Sequence, residues 1–275
     1  MASHEFTSIH SPRIKGARRL AKRAFRYRER RFLAEGPQAV REALACADQE
    51  VVQELYATPE AEQRHPELLT SAGNRGVPVH RVSFEVMREL AQTVTPQGLL
   101  GVCGFVDRPL SQVSRPRLVV VLSHVRDPGN AGTVLRTADA AGADVVVFAD
   151  ASVDPYNGKC VRASAGSLFH VSLVVGVRAS DALAELGERG IRRLAADGAG
   201  PTSLDTALHQ GELCGSTAWV FGNEAWGLPA ELREACDATV SVPIYGRAES
   251  LNLATAAAVC LYSTAREQRA YAADA

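Results

Sequence analysis

The sequence predicts an α/β protein in two parts: a small N-terminal α/β domain, then a larger domain built on a parallel sheet covered by helices. Three observations predict this. Short apolar runs alternate with stretches whose apolar residues recur at helical spacing. The runs "LVVVL", "DVVVFA" and "TAWVFG" are apolar almost without interruption, as in strands buried on both faces of a parallel sheet. The segment "DRPLSQVSRPR", with its prolines and serines, reads as a linker between two such alternations.

Taken in order, residues 1–12 are expected to be a disordered tail and residues 13–31 a basic helix. In "FLAEGPQAVREALACA", Phe32 and Leu33 mark a strand end, and Val40 and Leu44 an amphipathic helix. "VVQELYAT" reads as a strand, 66–75 as a helix with its loop, and "VPVHRVS" as another strand. In "FEVMRELAQT", Phe84, Met87, Leu90 and Ala91 have helical spacing, and "GLLGVCGFV" closes the first domain. The expected boundaries are 13–107 for that domain, 108–117 for the linker and 118–275 for the second domain. There, strand "LVVVL" leads through "SHVRDPGN" to a helix carrying Arg136 and on to strand "DVVVFA". A turn at "DPYNG", a helix over 158–165, strand "HVSLVV", a helix over 180–189 and strand "IRRLAA" follow. "TAWVFG" and "ATVSVPI" are the last strands, and "SLNLATAAAVCLYSTAREQRA" is a long closing helix.

Composition excludes several classes. With 46% hydrophobic and 22% charged residues, the 275-residue chain can bury a sizeable core. No apolar run reaches the roughly 18–20 residues that span a bilayer, so no membrane partner is expected. The N-terminus lacks the apolar core of a secretory signal. The six cysteines are scattered without a CxxC pair, which implies reduced thiols and a cytoplasmic location. The seven histidines show no metal-ligand spacing, so no metal is expected.

The net charge of −1 conceals a division. Residues 13–31, "RIKGARRLAKRAFRYRERR", hold ten of the 30 Lys/Arg and one of the 31 Asp/Glu, a local charge of +9 against −10 for the rest. Set with Phe25 and Tyr27, this stripe has the footprint of a polyanion contact, RNA or DNA, with Arg18, Arg19, Lys22, Arg23 and Arg26 as candidate contacts. A basic helix serving only solubility is the alternative.

Ligands of open α/β sheets sit beyond the carboxyl ends of the strands. Three glycine-bearing polar loops leave such ends: "RDPGNAG" (126–132), "FGNEAWG" (221–227) and "PIYGRAESLN" (243–252). They carry Asn130, Glu224, and the pair Ser250 and Asn252. Singly, each has a bland reading: a turn with an Asn helix cap, a strand end, a Ser cap on the last helix. No GxGxxG, no GxxxxGK[ST] and no G-x-S-x-G is present, which excludes the common dinucleotide, P-loop and acyl-transfer sites.

These residues carry a resemblance. "HVRDPGNAGTVLRTADAAGADVVVF", "VFGNEAWGLPAEL" and "VSVPIYGRAESLNLATAAAVCLY" resemble the three signature motifs of the SpoU (TrmH-like) branch of the SPOUT RNA methyltransferases, in order and spacing, over about residues 117–268. "RASAGSLFHV" (162–171) resembles a further block of that family. "FLAEGPQAVREAL" and "TVTPQGLLGVCGF" resemble the ends of its N-terminal substrate-binding domain. Where the third motif usually continues Val-Ser-Val after the Asn, this chain has Leu253, Ala254 and Thr255.

The resemblance implies a SPOUT domain with a deep trefoil knot, S-adenosylmethionine as cofactor, and methyl transfer to a ribose 2′-hydroxyl in structured RNA. Ribosomal RNA is favoured over transfer RNA because of the separate N-terminal domain. It further implies a homodimer through the catalytic domain, with the active site near the interface. Arg136, Asn130, Glu224, Ser250 and Asn252 match the catalytic positions. Gly222, Asn223, Val242, Ile244, Leu251 and Asn252 match those around the cofactor. Arg136 is expected to face the active site, orienting the RNA and activating its 2′-hydroxyl, since a guanidinium is always protonated and cannot be an ordinary base. A transfer-RNA methyltransferase and a non-catalytic RNA-binding or ribosome assembly factor of the same fold are the rival readings.

Overall fold

The computed structural model of the protein describes residues 6–48, 50–91 and 93–274. The chain forms two compact units. The first takes the chain up to Val106 and the later segment Asp154–His170; the second takes Asp107–Val153 and the chain from Val171 onward. The block around 162–171 thus packs mostly with the first unit, although the strand–helix alternation puts it in the second half of the sequence.

In the first unit, α1 (Pro12–Arg19) and α2 (Arg23–Glu29) stand where the sequence suggests one basic helix. The break has a visible cause. Arg26 Nη1 donates to the carbonyls of Leu20 (2.9 Å) and Ala21 (2.8 Å), acceptors that a continuous helix would pair with its own N–H groups. Ile14, Ala17 and Leu20 are buried against Val86, Met87 and Leu90, so α1 has an apolar face of its own. The disordered tail expected over 1–12 falls partly outside the described residues. Residues 1–5 lie outside the described residues, but Phe6 is ordered, its N–H donating to Arg81 O (2.8 Å) and its carbonyl accepting from Ser83 N (3.2 Å).

Strand β1 (Arg31–Glu35) leads to α3 (Pro37–Ala45), and β2 (Val52–Ala57) to α4 (Pro59–Arg64) and α5 (Pro66–Asn74). Strand β3 (Val79–Arg81), α6 (Phe84–Leu90) and β4 (Leu99–Gly104) complete the sheet, in the order β1-β4-β2-β3. Proline opens α1, α3, α4 and α5, where its missing N–H costs nothing. The later segment adds α8 (Gly158–Ala163), α7 (Pro128–Ala141) belonging to the second unit. Tyr156 stacks on Phe105 with ring centroids 3.8 Å apart, and Arg162 pairs with Glu35 at 2.9 Å.

The second unit carries a seven-stranded sheet in the order β7-β6-β5-β10-β8-β11-β9, parallel at every pairing. Its strands are β5 (Leu118–Ser123), β6 (Val145–Ala149), β7 (Ser172–Val177), β8 (Arg192–Ala196), β9 (Thr202–Ser203), β10 (Thr217–Phe221) and β11 (Ala238–Ser241). Strands β5, β6 and β10 are buried at every residue, as their unbroken apolar runs require. One face packs on α9 (Ala179–Glu188), whose Ala182, Leu183 and Leu186 meet Val119, Val121, Val145 and Val147. Helices α10 (Leu204–His209) and α11 (Ala230–Glu234), like α4 and β9, are too short to leave a periodic signal.

The closing helix, α12 (Leu253–Asp274), lies along α7 and against β5 and β10. The fully buried Trp219 fastens it, its indole N–H donating to Thr264 Oγ1 (2.8 Å). Gln268 Nε2 donates to the carbonyls of Arg117 and Gly215, just before β5 and β10. The segment read as a linker packs on the second unit. Leu110 and Val113 join the core of the second unit, and Arg189 donates to the carbonyls of both. No helix among the described residues is long and apolar enough to cross a membrane.

Candidate active site

The three glycine-bearing loops come together at the carboxyl ends of β5, β10, β8 and β11. The loop after β5 enters α7 with Asp127 as the cap, its carboxylate accepting from Asn130 N at 2.8 Å and Pro128 occupying the first turn. The cap is therefore Asp127 rather than Asn130, which frees the Asn130 side chain. The loop after β10 folds back tightly: Asn223 and Gly227 exchange both backbone hydrogen bonds at 2.9 Å. Gly222 is obligatory here, because a Cβ would lie 2.3 Å from the Gly227 carbonyl. The third loop ends in Asn252, which caps α12 through Oδ1 accepting from Ala254 N (2.9 Å). Ser250 is not the cap.

Side chains from the three loops form one chain of hydrogen bonds. Glu224 Oε1 accepts from Asn130 Nδ2 (3.3 Å) and Asp127 N (3.4 Å), and Glu224 Oε2 from Arg126 N (3.3 Å). Asn130 Oδ1 in turn accepts from Asn252 Nδ2 (3.1 Å). The amide orientations are mutually required. An ionised carboxylate only accepts, so Asn130 must turn its NH₂ to Glu224 and its oxygen to Asn252. Asn252 then has its oxygen free for the α12 N-terminus. Glu224 sits at the N-terminus of α7, where backbone N–H groups favour an anion.

Beside this clasp lies a cavity of about 700 Å³, within the range of small-ligand sites. Asn130, Glu224, Ser250 and Asn252 border it, as do Gly222, Asn223, Val242, Ile244 and Leu251, so all these sequence-predicted residues meet in one place. Asn223 Nδ2 also donates to His124 O (2.8 Å), joining the β10 loop to the β5 loop. A wall of Phe221, Val240, Val242, Leu251 and Ala256 suits a flat heterocycle. Asp197, Glu224 and Glu249 supply negative charge against a single Arg233, itself paired with Asp197 at 3.1 Å. Sequence reasoning missed Asp197, Arg233, Trp226 and Glu249. Asp197 directly follows β8, and its position beyond a strand terminus was the signal that could have found it.

Two expected site residues lie apart from the cavity. Arg136 does not border the cavity; it stands exposed on α7. Six residues beyond Asn130 place it about 9 Å along the helix axis and about 240° around it, so the two side chains leave the helix in different directions. Arg26 is not a surface contact. Its side chain is only 3% exposed, and its Nε and Nη2 both donate to Asp154 Oδ2 (2.9 and 2.6 Å). Arg18, Arg19, Lys22 and Arg23 are exposed as expected. Arg18 pairs with Glu89 at 2.7 Å, Arg19 and Arg28 lie over Phe25, and Arg23 lies over Tyr27. Among the described residues no His, Cys, Asp and Glu group is arranged to hold a metal. Burial pushes the Cys103 thiol upward and that of Cys260 up to about 12, so neither is a nucleophile.

The SpoU rRNA Methylase family matches residues 117–262, which hold all three loops. The chain belongs to the SpoU rRNA methylase family. Ahead of the SpoU region, residues 11–101 match the MRM3-like substrate binding domain. A 23S rRNA (guanosine(2553)-2′-O)-methyltransferase of Bacillus subtilis is 34% identical over 260 residues, covering 94% of this chain and 98% of the relative. The crystal structure of an AdoMet-bound rRNA methyltransferase from Sinorhizobium meliloti superposes with a TM-score of 0.82 at 31% identity, covering 96% of this chain and 97% of that one. The SpoU methyltransferase AviRb from Streptomyces viridochromogenes, in complex with AdoMet, gives 0.81 at 27% identity, over 94% and 100%. The α/β architecture with a parallel sheet is thus the one the SpoU motifs implied.

Proposed function

We propose that the protein methylates a ribose 2′-hydroxyl of 23S ribosomal RNA in the cytoplasm, with S-adenosylmethionine as donor. The observation that carries this is the Asn252–Asn130–Glu224 clasp, built from all three motifs at the edge of a cavity of about 700 Å³. The cofactor supplies an activated methyl group on a sulfonium. Gly222, Asn223, Val242, Ile244, Leu251 and Asn252 would hold it. A ribose hydroxyl is a poor nucleophile while protonated, so the chain's task is alignment and help with proton loss. Asn130 and Asn252 fix the ribose side of the site, Glu224 holds the clasp as an anion, and Ser250 positions the third loop against substrate. Arg136 binds the RNA backbone with its planar fork and stabilises charge developing on the 2′-oxygen.

The position of Arg136 supports a homodimer through the catalytic domain. Helices α7 and α12 run side by side in the same direction, since Asn130 meets Asn252 near their starts and Arg269 Nη2 would lie 3.2 Å from a Cβ on Gly142 just past the end of α7. Val259 and Tyr262 are exposed at about the level of Arg136. Pairing two such surfaces would cover these apolar residues and bring Arg136 of one protomer toward the site of its partner. Threading of the C-terminal segment into a trefoil knot belongs to the same reading. The N-terminal domain engages RNA through Arg18, Arg19, Lys22 and Arg23.

The test is incubation of ribosomal and transfer RNA with the protein and methyl-labelled S-adenosylmethionine, followed by mapping of 2′-O-methyl positions. Label in 23S RNA alone is expected. Label in transfer RNA alone would favour the rival substrate, and absence of cofactor binding by calorimetry would favour a non-catalytic RNA-binding role. Sedimentation should give the mass of two chains.

A further inference from the structure

At the cavity rim Trp226 meets His124, and neither ring belongs to the clasp or to the residues proposed to hold the cofactor. Trp226 is 54% exposed, at the tip of the turn that carries Glu224. Its indole packs on the imidazole of His124, with centroids 5.3 Å apart and planes at 61°. An exposed indole on a tight turn is not there for core packing; the other tryptophan, Trp219, is fully buried.

His124 is held with unusual care. It adopts a left-handed backbone (φ +58°), which a residue with a side chain seldom takes. Its carbonyl accepts from Asn223 Nδ2 at 2.8 Å. Its ring is fixed by a chain of hydrogen bonds. Ser123 Oγ donates to Asp150 Oδ2 (2.7 Å), whose other oxygen accepts from Ala179 N (3.0 Å). The single hydroxyl proton of Ser123 is spent on that carboxylate, so the 2.9 Å contact between Ser123 Oγ and His124 Nδ1 needs Nδ1 as donor. In the neutral ring that tautomer leaves Nε2 as the acceptor, beside the indole.

We infer that Trp226 and His124 form a nucleobase subsite: an unpaired base of the RNA stacks on the exposed indole and offers a donor on its edge to His124 Nε2. The inclination of the two rings gives a floor and a wall, which fits a flat base with a polar rim. Sequence-specific RNA recognition works largely in this way, with splayed bases stacked on aromatic side chains and read at their edges. The subsite adjoins the cavity, since Trp226 itself borders it with Asn223 and Glu224. A base held there would keep its own or the neighbouring ribose near the clasp. This inference rests on the proposed RNA methyl transfer and adds how the substrate is seated.

The test uses the full-length protein and an in vitro 23S ribosomal RNA transcript. Trp226→Ala should raise the KM for RNA by about tenfold, the effect of losing one stacked base, with kcat changed less and S-adenosylmethionine binding by calorimetry unaltered. Trp226→Phe should restore most of the loss and Trp226→Leu should not. Without any turnover, RNA should protect the wild-type protein's fluorescence from acrylamide, and Trp226→Phe, left with buried Trp219, should show no such protection. An unchanged RNA KM in Trp226→Ala, equal rescue by Leu, or a matching loss of cofactor binding would overturn the subsite. If wild-type protein transfers no methyl group yet RNA shields Trp226, the catalytic reading fails and the subsite stands; transfer without shielding sinks the subsite alone.

Discussion

Replacing Arg26 by Ala separates a structural arginine from an RNA contact. In the folded chain its guanidinium and the Asp154 carboxylate are both 3% exposed, and Nη1 also serves the carbonyls that end α1. Removing one partner of a buried pair costs about 3–5 kcal/mol, because the other charge is left without compensation. Asp154 would keep its bond from Tyr156 N at 2.9 Å, which argues for the lower end, about 3 kcal/mol. For a unit of this size that lowers the melting temperature by about 10 °C. Differential scanning calorimetry of Arg26→Ala should show this drop for the first unit. Arg23→Ala, which removes an exposed cation over Tyr27, should leave melting unchanged but weaken RNA binding and reduce its salt dependence by about one contact. Wild-type melting in Arg26→Ala, together with weakened RNA binding, would refute the reasoning and return Arg26 to the surface.

Arg136→Ala should abolish methyl transfer while calorimetry still reports S-adenosylmethionine binding, because the residue is exposed and outside the cavity lining; retained activity would remove its assigned role. Gly222→Ala should reduce cofactor affinity by more than about tenfold, a Cβ being placed 2.3 Å from the Gly227 carbonyl with only backbone to give way. The hydrogen bond from Arg193 holds the Asp237 carboxyl below the usual range, tying β8 to the start of β11. A depressed folded value means its stabilisation is present above the unfolded pKa near 4 and is lost as pH falls through the lower folded value. Asp237→Asn should therefore flatten acid unfolding below about pH 4 and, being partly exposed, cost at most about 1 kcal/mol at neutral pH, read by urea titration.

What was legible in the sequence tracks what periodicity and motif can encode. The unbroken apolar runs announced β5, β6 and β10, and the glycine-bearing loops announced where the chain would converge on a cavity, since Gly222 and Asn130 are constrained by local geometry that a motif preserves. Strand β9 and the short helices α4 and α11, two to six residues long and without an unbroken apolar run, leave no period to read. The break between α1 and α2 depends on Arg26 meeting Asp154, 128 residues away, and no local pattern carries that information. For the same reason the basic run looked like one uniform polyanion stripe, although one of its arginines is a core residue. The linker was legible as a boundary, since the two units divide at Val106 and Asp107, but not the anchoring of its Leu110 and Val113 in the second unit's core, which depends on residues far along the chain.

The exclusion of Arg136 from the cavity follows from the charge of what the cavity is proposed to hold. Its lining carries three carboxylates, on Asp197, Glu224 and Glu249, and one guanidinium, on Arg233, that is already neutralised by Asp197. Such a lining favours a cation, as a sulfonium is, and a second unpaired guanidinium inside it would oppose binding of the donor. The RNA side of the reaction has the opposite requirement, because phosphate and an oxygen gaining negative charge need a cation that never deprotonates. Two electrostatic environments of opposite sign must therefore meet at the methyl group without merging. The clasp of Asn252, Asn130 and Glu224 suits such a boundary: its amides are neutral, its one charge is held by backbone N–H groups, and in the proposed dimer the arginine would arrive from outside.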